Sequence, residues 1–190
     1  MRQVINRLII AATVAMICVP TYARAEGYVN PWTGVQFGSQ IQDGRGGFGV
    51  SAGGMGNNGV AGGELVFGMS PSFFGSRTDF GNNTVIDVMG NVVIGVPING
   101  TRGRAGARPY VTAGLGMIHT QIDGGNVFNV ANTSNQLAYN VGGGAMGYFN
   151  RHVGIRGDLR YLRTLQGDVI NGLDLGNFHF WRVSAGVVIR

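Results

Sequence analysis

Between Val153 and Leu165 the chain alternates. Val153, Ile155, Gly157, Leu159 and Tyr161 fall on one side of an extended strand, and Gly154, Arg156, Asp158, Arg160 and Leu162 on the other. The same period of two returns in seven further segments separated by turn signals. Trp32–Ser39 places Val35 and Phe37 opposite Gly34, Gln36 and Gly38, and Gly47–Met55 lines up Phe48, Val50 and Ala52. Val60–Phe74 sets Leu65, Phe67 and Met69 against Glu64 and Ser70, and Thr84–Ile98 sets Ile86, Val88, Val92, Ile94 and Val96 against Asp87, Met89 and Asn91. Pro109–Ile122 aligns Val111, Ala113, Leu115 and Met117, and Leu137–Phe149 aligns Leu137, Tyr139, Val141 and Phe149. Phe178–Arg190 alternates Trp181, Val183, Ala185, Val187 and Ile189 with Arg182 and Ser184.

A soluble sheet would turn its charges to water and its apolar side to a core. A membrane barrel reverses this, with apolar residues on lipid and polar ones in the lumen. If these strands lie in a bilayer, their facing is nearly forced. One lipid-facing Arg at mid-depth costs about 2–4 kcal/mol, and turning the strand from Val153 over would expose Arg156, Asp158 and Arg160 together. That sum approaches the whole stability of a small domain, about 5–15 kcal/mol. Connection lengths alternate as well. Gly56–Gly59, Asn99–Arg108 and Asn150–His152 are the shorter set; Gly75–Asn83, Asp123–Gln136 and Gln166–Asn177 are the longer, and Gln40–Gly46 is short for its class. Short periplasmic turns and long outer loops have this order. The expected architecture is all-β: an eight-stranded antiparallel up-and-down transmembrane β-barrel. The sharpest rival is a soluble lipocalin-like barrel, whose charged face would have to lie outside.

Composition narrows this further. Glycine accounts for 35 of 190 residues without a collagen period, and 44% of residues are hydrophobic, too many for low-complexity disorder. Residues 1–25 read as a signal peptide: a basic start with Arg2 and Arg7, an apolar run from Leu8 to Val19, and Tyr22-Ala23-Arg24-Ala25 before an expected cleavage at Glu26. Residues 26–190 then form the barrel domain. The single cysteine, Cys18, lies within that signal, so no disulfide framework is expected. Once Arg2, Arg7 and Arg24 leave, 11 arginines face 9 acids, and there is no lysine. Such a near-neutral chain has no footprint for nucleic acid.

The chain resembles the small eight-stranded outer-membrane barrels of the OmpA/OmpX kind. Arg108-Pro109-Tyr110-Val111-Thr112-Ala113-Gly114-Leu115-Gly116 looks like that family's fifth strand, and Gly157-Asp158-Leu159-Arg160-Tyr161 like its seventh. The resemblance implies a cell outer-membrane location, contact with membrane lipid and lipopolysaccharide, and insertion by the barrel assembly machinery. It also implies a final aromatic residue, whereas this sequence ends Val187-Val188-Ile189-Arg190.

Candidate chemistry is sparse. Gly44/Gly46/Gly49 and Gly142/Gly144/Gly147 match a dinucleotide fingerprint, but neither precedes a helix that could present its N-terminus to phosphate. His119, His152 and His179 lack ligand-like spacing, and none has the serine two residues away that lipid A deacylases carry, so no metal, cofactor or enzymatic activity is expected. The strongest constellation is an inward set of Glu64, Asp87 and Asp158 with Arg156, Arg160 and Arg182, expected to form an ion-pair network in the lumen. Trp32, Tyr110 and Phe149 near one end of the strands, and Tyr161 and Trp181 near the other, are expected to form two interfacial girdles. Predicted outer loops carry Asp43, Asp79, Asp123, Asp168 and Asp174 against Arg45 and Arg77, and Arg163 is expected on the outward side near the top of its strand, where it could meet a lipid phosphate. The expected role is a monomeric, non-enzymatic envelope protein with loop-mediated binding. The alternatives are a narrow channel gated by the lumen ion pairs and, third, a lipid A-modifying enzyme.

Overall fold

The computed structural model describes residues 26–38, 41–56, 59–74, 82–98, 106–123, 132–165, 169–170, 173–174 and 178–190. The expected signal peptide lies outside them. Eight strands close a barrel: β1 (Glu26–Gly38), β2 (Ile41–Met55), β3 (Ala61–Pro71), β4 (Asn82–Gly95), β5 (Gly106–Asp123), β6 (Asn132–Tyr148), β7 (Val153–Thr164) and β10 (His179–Ile189). Two short strands, β8 (Val169–Ile170) and β9 (Leu173–Asp174), pair with each other between β7 and β10. Every barrel strand pairs antiparallel with its sequence neighbours, and β1 with β10 closes the ring. The barrel itself leaves no edge strand, so each of its eight strands has a ladder partner on both sides.

The starts of β1, β3, β5 and β7 and the ends of β2, β4, β6 and β10 meet at one end of the barrel, the turn end. The opposite strand ends meet at the other, the loop end. The short turns have local causes. Gly59 takes φ +68°, a left-handed conformation open to glycine, and its N–H reaches Gly56 O at 2.7 Å. Asn150 Oδ1 accepts from the N–H groups of His152 and Val153, both at 2.8 Å, turning the chain from β6 into β7.

Three strands start well before the sequence expectation, the first being β1, which begins at Glu26 rather than Trp32. Gln40–Gly46 reads as a connection because it is polar and glycine-rich, yet β2 begins at Ile41, with Arg45 opposite Gln36 and Gly46 opposite Val35. A ladder needs only backbone partners, and those β1 supplies. For the same reason β6 starts at Asn132 rather than Leu137, because its polar beginning pairs with the far end of β5.

Facing follows the alternation. Val35, Phe48, Leu65, Val92, Val111, Leu115, Val141, Ile155 and Val183 are exposed on the outer wall. The lumen holds two apolar clusters. Tyr28, Met55, Val93, Tyr110, Met146, Tyr148 and Val188 fill the turn-end part, and Trp32, Val66, Phe73, Val85, Met89, Ile118, Ala138, Leu162 and Phe180 fill the loop-end part. At the loop end, the Phe73 ring meets those of Phe74, Phe178 and Phe180 edge-on at 5.2–5.4 Å. Inward glycines make room for this filling. A Cβ at Gly49 would stand 2.6 Å from the Trp32 ring, and one at Gly68 would meet the Asp87 carboxylate and Arg182 Nη1.

Candidate functional site

The lumen charges form ion pairs that cross the barrel. Arg156 and Arg160 project inward from β7, two positions either side of Asp158, and meet Glu64 on β3. In the ring of eight, β7 and β3 are four strands apart in both directions, so they are diametrically opposed. Arg156 Nη1 pairs with Glu64 Oε2, and its Nη2 reaches Asp158 Oδ2 at 3.0 Å. Arg160 Nη2 reaches Glu64 Oε1 at 2.7 Å, and its Nε reaches Asp158 Oδ1 at 2.6 Å. Two carboxylates thus meet two guanidiniums, and the cluster is neutral. Tyrosines complete the shell. Tyr28 OH donates to Glu64 Oε2 at 2.8 Å, Tyr110 OH donates to Asp158 Oδ2, and Arg156 Nε donates to Tyr110 OH at 2.6 Å. The Arg156 guanidinium also lies 4.6 Å from the Tyr110 ring centre.

A second crossbar joins β10 to β4, again opposite strands: Arg182 Nη1 lies 2.8 Å from Asp87 Oδ1 and 3.0 Å from Oδ2. Its guanidinium sits 4.6 Å over the Trp32 ring. The third crossbar lies at the turn end. Arg108 at the start of β5 reaches across to Glu26 at the start of β1 at 3.1 Å, and Arg190 approaches the same carboxylate at 3.4 Å. The Tyr148 ring lies 3.4 Å from the Arg190 guanidinium. Three polar pairs tie shorter chords: Gln36 Nε2 to Ser70 Oγ at 2.6 Å, Asn140 Nδ2 to Asn91 Oδ1 at 2.6 Å, and Asn30 Nδ2 to Ser51 Oγ at 3.2 Å. All of these side chains except Glu26 and Arg190 are buried. Lone buried charges are expensive, so ion pairing is what permits them here, although Arg160 Nη1 and Arg108 Nε and Nη1 are left without a hydrogen-bond partner among the described residues.

Of the six charges singled out from sequence, the structure therefore gathers Glu64, Asp158, Arg156 and Arg160 into one cluster and joins Asp87 to Arg182 separately. The sequence reading does not single out Tyr28, Glu26, Arg108 and Arg190 as lumen residues, and it assigns Tyr110 to the girdle. The alternation that turns Gln36 inward also carries Tyr28 inward, and the phase opposite Val111 does the same for Arg108 and Tyr110.

The aromatic girdle needs correction. Trp32 is 7% exposed and Tyr110 5%, and both point into the lumen rather than at the outer wall. Proximity to a strand end suggested the interface, but strand phase decides facing, and both residues share the phase of the inward set. Phe149, 65% exposed, is outward at the turn end. Tyr161 and Trp181 pack together on the outer wall at the loop end, ring centres 5.1 Å apart. His179 packs on Tyr161 at 5.8 Å, His119 Nδ1 bonds Asn135 Oδ1 at 2.7 Å, and His152 sits in the β6–β7 turn. Both glycine fingerprints run within strands, β2 and β6. Among the described residues no group of three His, Cys, Asp or Glu side chains could hold a metal ion.

A cavity of about 10 Å³, room for about one water, lies between Asn30, Trp32, Arg156, Asp158, Arg160 and Arg182. The lumen is a packed interior at this point.

A family model described as "Outer membrane protein beta-barrel domain" matches residues 9–188. Among solved structures, the chain is similar to Neisserial surface protein A, NspA (17% identity, 86% of this chain and 96% of that one, TM-score 0.63). It is also similar to the N-terminal β-barrel domain of Pseudomonas aeruginosa OprF (16% identity, 87% and 98%, TM-score 0.57). A third is Ail, the attachment invasion locus protein of Yersinia pestis, in complex with the heparin analogue sucrose octasulfate (13% identity, 87% and 99%, TM-score 0.53). At these identities the likeness is one of fold. No curated protein sequence matches the chain.

Proposed function

Because this chain belongs to the outer membrane protein β-barrel domain family, we propose that it is a non-conducting, non-enzymatic element of the outer-membrane wall that works through its loops and its contact with surrounding lipid. Its turn end then faces the periplasm and its loop end, which carries the longest connection (165–178) and also the shortest (39–40), faces the outside. An N-terminal signal peptide carries it there, the barrel assembly machinery inserts it, and it works as a monomer.

One observation carries this reading: three ion-pair crossbars join opposite strands, and an apolar cluster fills the lumen towards each end. A gated channel would need the Arg156–Glu64–Arg160 cluster, the Arg182–Asp87 pair and both clusters to part along one line. The same crossbars have an evident use in a wall element. Interstrand hydrogen bonds resist separation along the sheet, while pairs between opposite strands resist flattening of the cross-section. A catalytic role finds no support in the histidine contacts among the described residues, where the His119 ring bonds Asn135 and the His179 ring packs on Tyr161.

The sulfated ligand in the Ail complex does not carry over. The loop-end strand termini and the segments joining them hold Asp43, Asp79, Asp123, Asp168 and Asp174 against Arg45 and Arg77, a balance that disfavours a soluble polyanion.

The test is conductance in a planar bilayer after refolding, with heat-modifiable gel mobility as the check on folding. The expected result is a silent barrel, and lipid A of unchanged mass in cells with and without the protein. Reproducible current that changes in Arg156, Arg160 or Arg182 variants would overturn the closed-lumen reading in favour of the channel.

A further inference from the structure

At the loop end of β6, β7 and β10 the outward side chains form two stacked rows. Tyr139, Arg163 and His179 are direct cross-strand partners. Two residues nearer the turn end, Val141, Tyr161, Trp181 and Phe37 are partnered across β6, β7, β10 and β1. Tyr161 ties the rows together through its contacts with Trp181 and His179. From mid-strand to the turn end the same faces carry Leu159, Val183, Ile155 and Val187, all exposed. Going outward along these strands, the wall thus changes from aliphatic to aromatic to cationic, the order of hydrocarbon, interface and headgroup in a lipid leaflet.

Arg163 is half-exposed, and among the described residues no carboxylate pairs with it. The other outer-wall positions of β7 are apolar, glycine or tyrosine. A guanidinium placed singly on a lipid-facing wall, just beyond an aromatic row, suits an anionic group at the same depth. Its planar fork matches two oxygens of a phosphate.

We propose that Arg163, flanked by Tyr139 and His179 and floored by Tyr161 and Trp181, binds the phosphate of a phosphorylated glycolipid in the outer leaflet. The site deepens the lipid-contact part of the proposed function and rests on the loop end facing outward. The guanidinium holds the phosphate, the Tyr139 hydroxyl lies in the same row, and the two larger rings cover the sugar and the first acyl carbons.

The experiment uses the full folded barrel in neutral-lipid nanodiscs doped equally with bis-phosphorylated and dephosphorylated lipid A. Native mass spectrometry reads the lipid retained on release, and a parallel sample carries phosphatidylglycerol in place of the phosphorylated form. Wild type should retain phosphorylated over dephosphorylated lipid A by about fivefold, the factor equivalent to about 1 kcal/mol per arginine near an anionic surface. Arg163→Gln should bring that ratio to about one, Arg163→Lys should restore part of it, and Arg151→Gln, in the exposed turn at the other end, should leave it unchanged. A wild-type ratio of about one, or an unchanged ratio in folded Arg163→Gln, would overturn the site. Equal retention of phosphatidylglycerol would overturn the glycolipid assignment. Current through the barrel bears on the lumen alone and leaves this ratio untouched, so the two readings fail separately.

Discussion

Replacing Glu64 by glutamine removes the one carboxylate that bridges Arg156 and Arg160 across the barrel. The side chain is fully buried, so water cannot take over its role. The cluster changes from two negative and two positive charges to one and two, and the new amide N–H₂ faces guanidinium donors or Tyr28 OH where an acceptor stood. At ~4 Å and an effective dielectric near 20, each pair is worth about 4 kcal/mol before desolvation. Losing two pairs while no longer burying a carboxylate should leave a net cost of about 3–5 kcal/mol, the range for breaking a buried pair by removing one partner. Against a total of about 5–15 kcal/mol this is large. The assay is urea unfolding of the barrel refolded in vesicles, followed by tryptophan emission and gel mobility. The double variant Glu64→Gln with Arg160→Gln restores neutrality, because Arg156 and Asp158 then balance. It should be more stable than Glu64→Gln alone, a coupling that independent sites do not show. A cost below about 1 kcal/mol for Glu64→Gln, or a double variant less stable than the single, would refute the argument that charge balance holds this cluster.

Other expectations follow from packing and facing. Gly68→Val drives a side chain into Asp87 and Arg182 and should cost about 1–3 kcal/mol in the same unfolding assay. Gly46→Val meets nothing within 4 Å and should stay within about 0.5 kcal/mol of wild type. Leu115→Arg puts a charge on the outer wall midway along β5, where about 2–4 kcal/mol should be lost. Brominated acyl chains should quench Trp181 strongly and Trp32 weakly, separated with Trp32→Phe and Trp181→Phe. Equal quenching would place Trp32 on the wall and undo its assignment to the lumen.

The sequence by itself determined the strand count, the facing of nearly every residue on those strands, and the fact that acids and arginines share one interior. Those follow from a period of two, which any short window displays, and from the cost of charge in lipid, which permits one phase only. Facing was legible even where strand position misled, since Trp32 lies in phase with Gln36 and Tyr110 out of phase with Val111. The chain alone did not reveal which acid meets which arginine. Glu64 and Arg156 are 92 residues apart, and Asp87 and Arg182 are 95 apart. Their meeting depends on how eight strands are staggered around the ring, which sets both the depth of each side chain and the strand opposite it. Tertiary structure alone also decided that the crossbars span full diameters and that aromatic and aliphatic clusters fill the lumen on either side. Alternation is a local property of the backbone, whereas depth and opposition arise only when the sheet closes on itself.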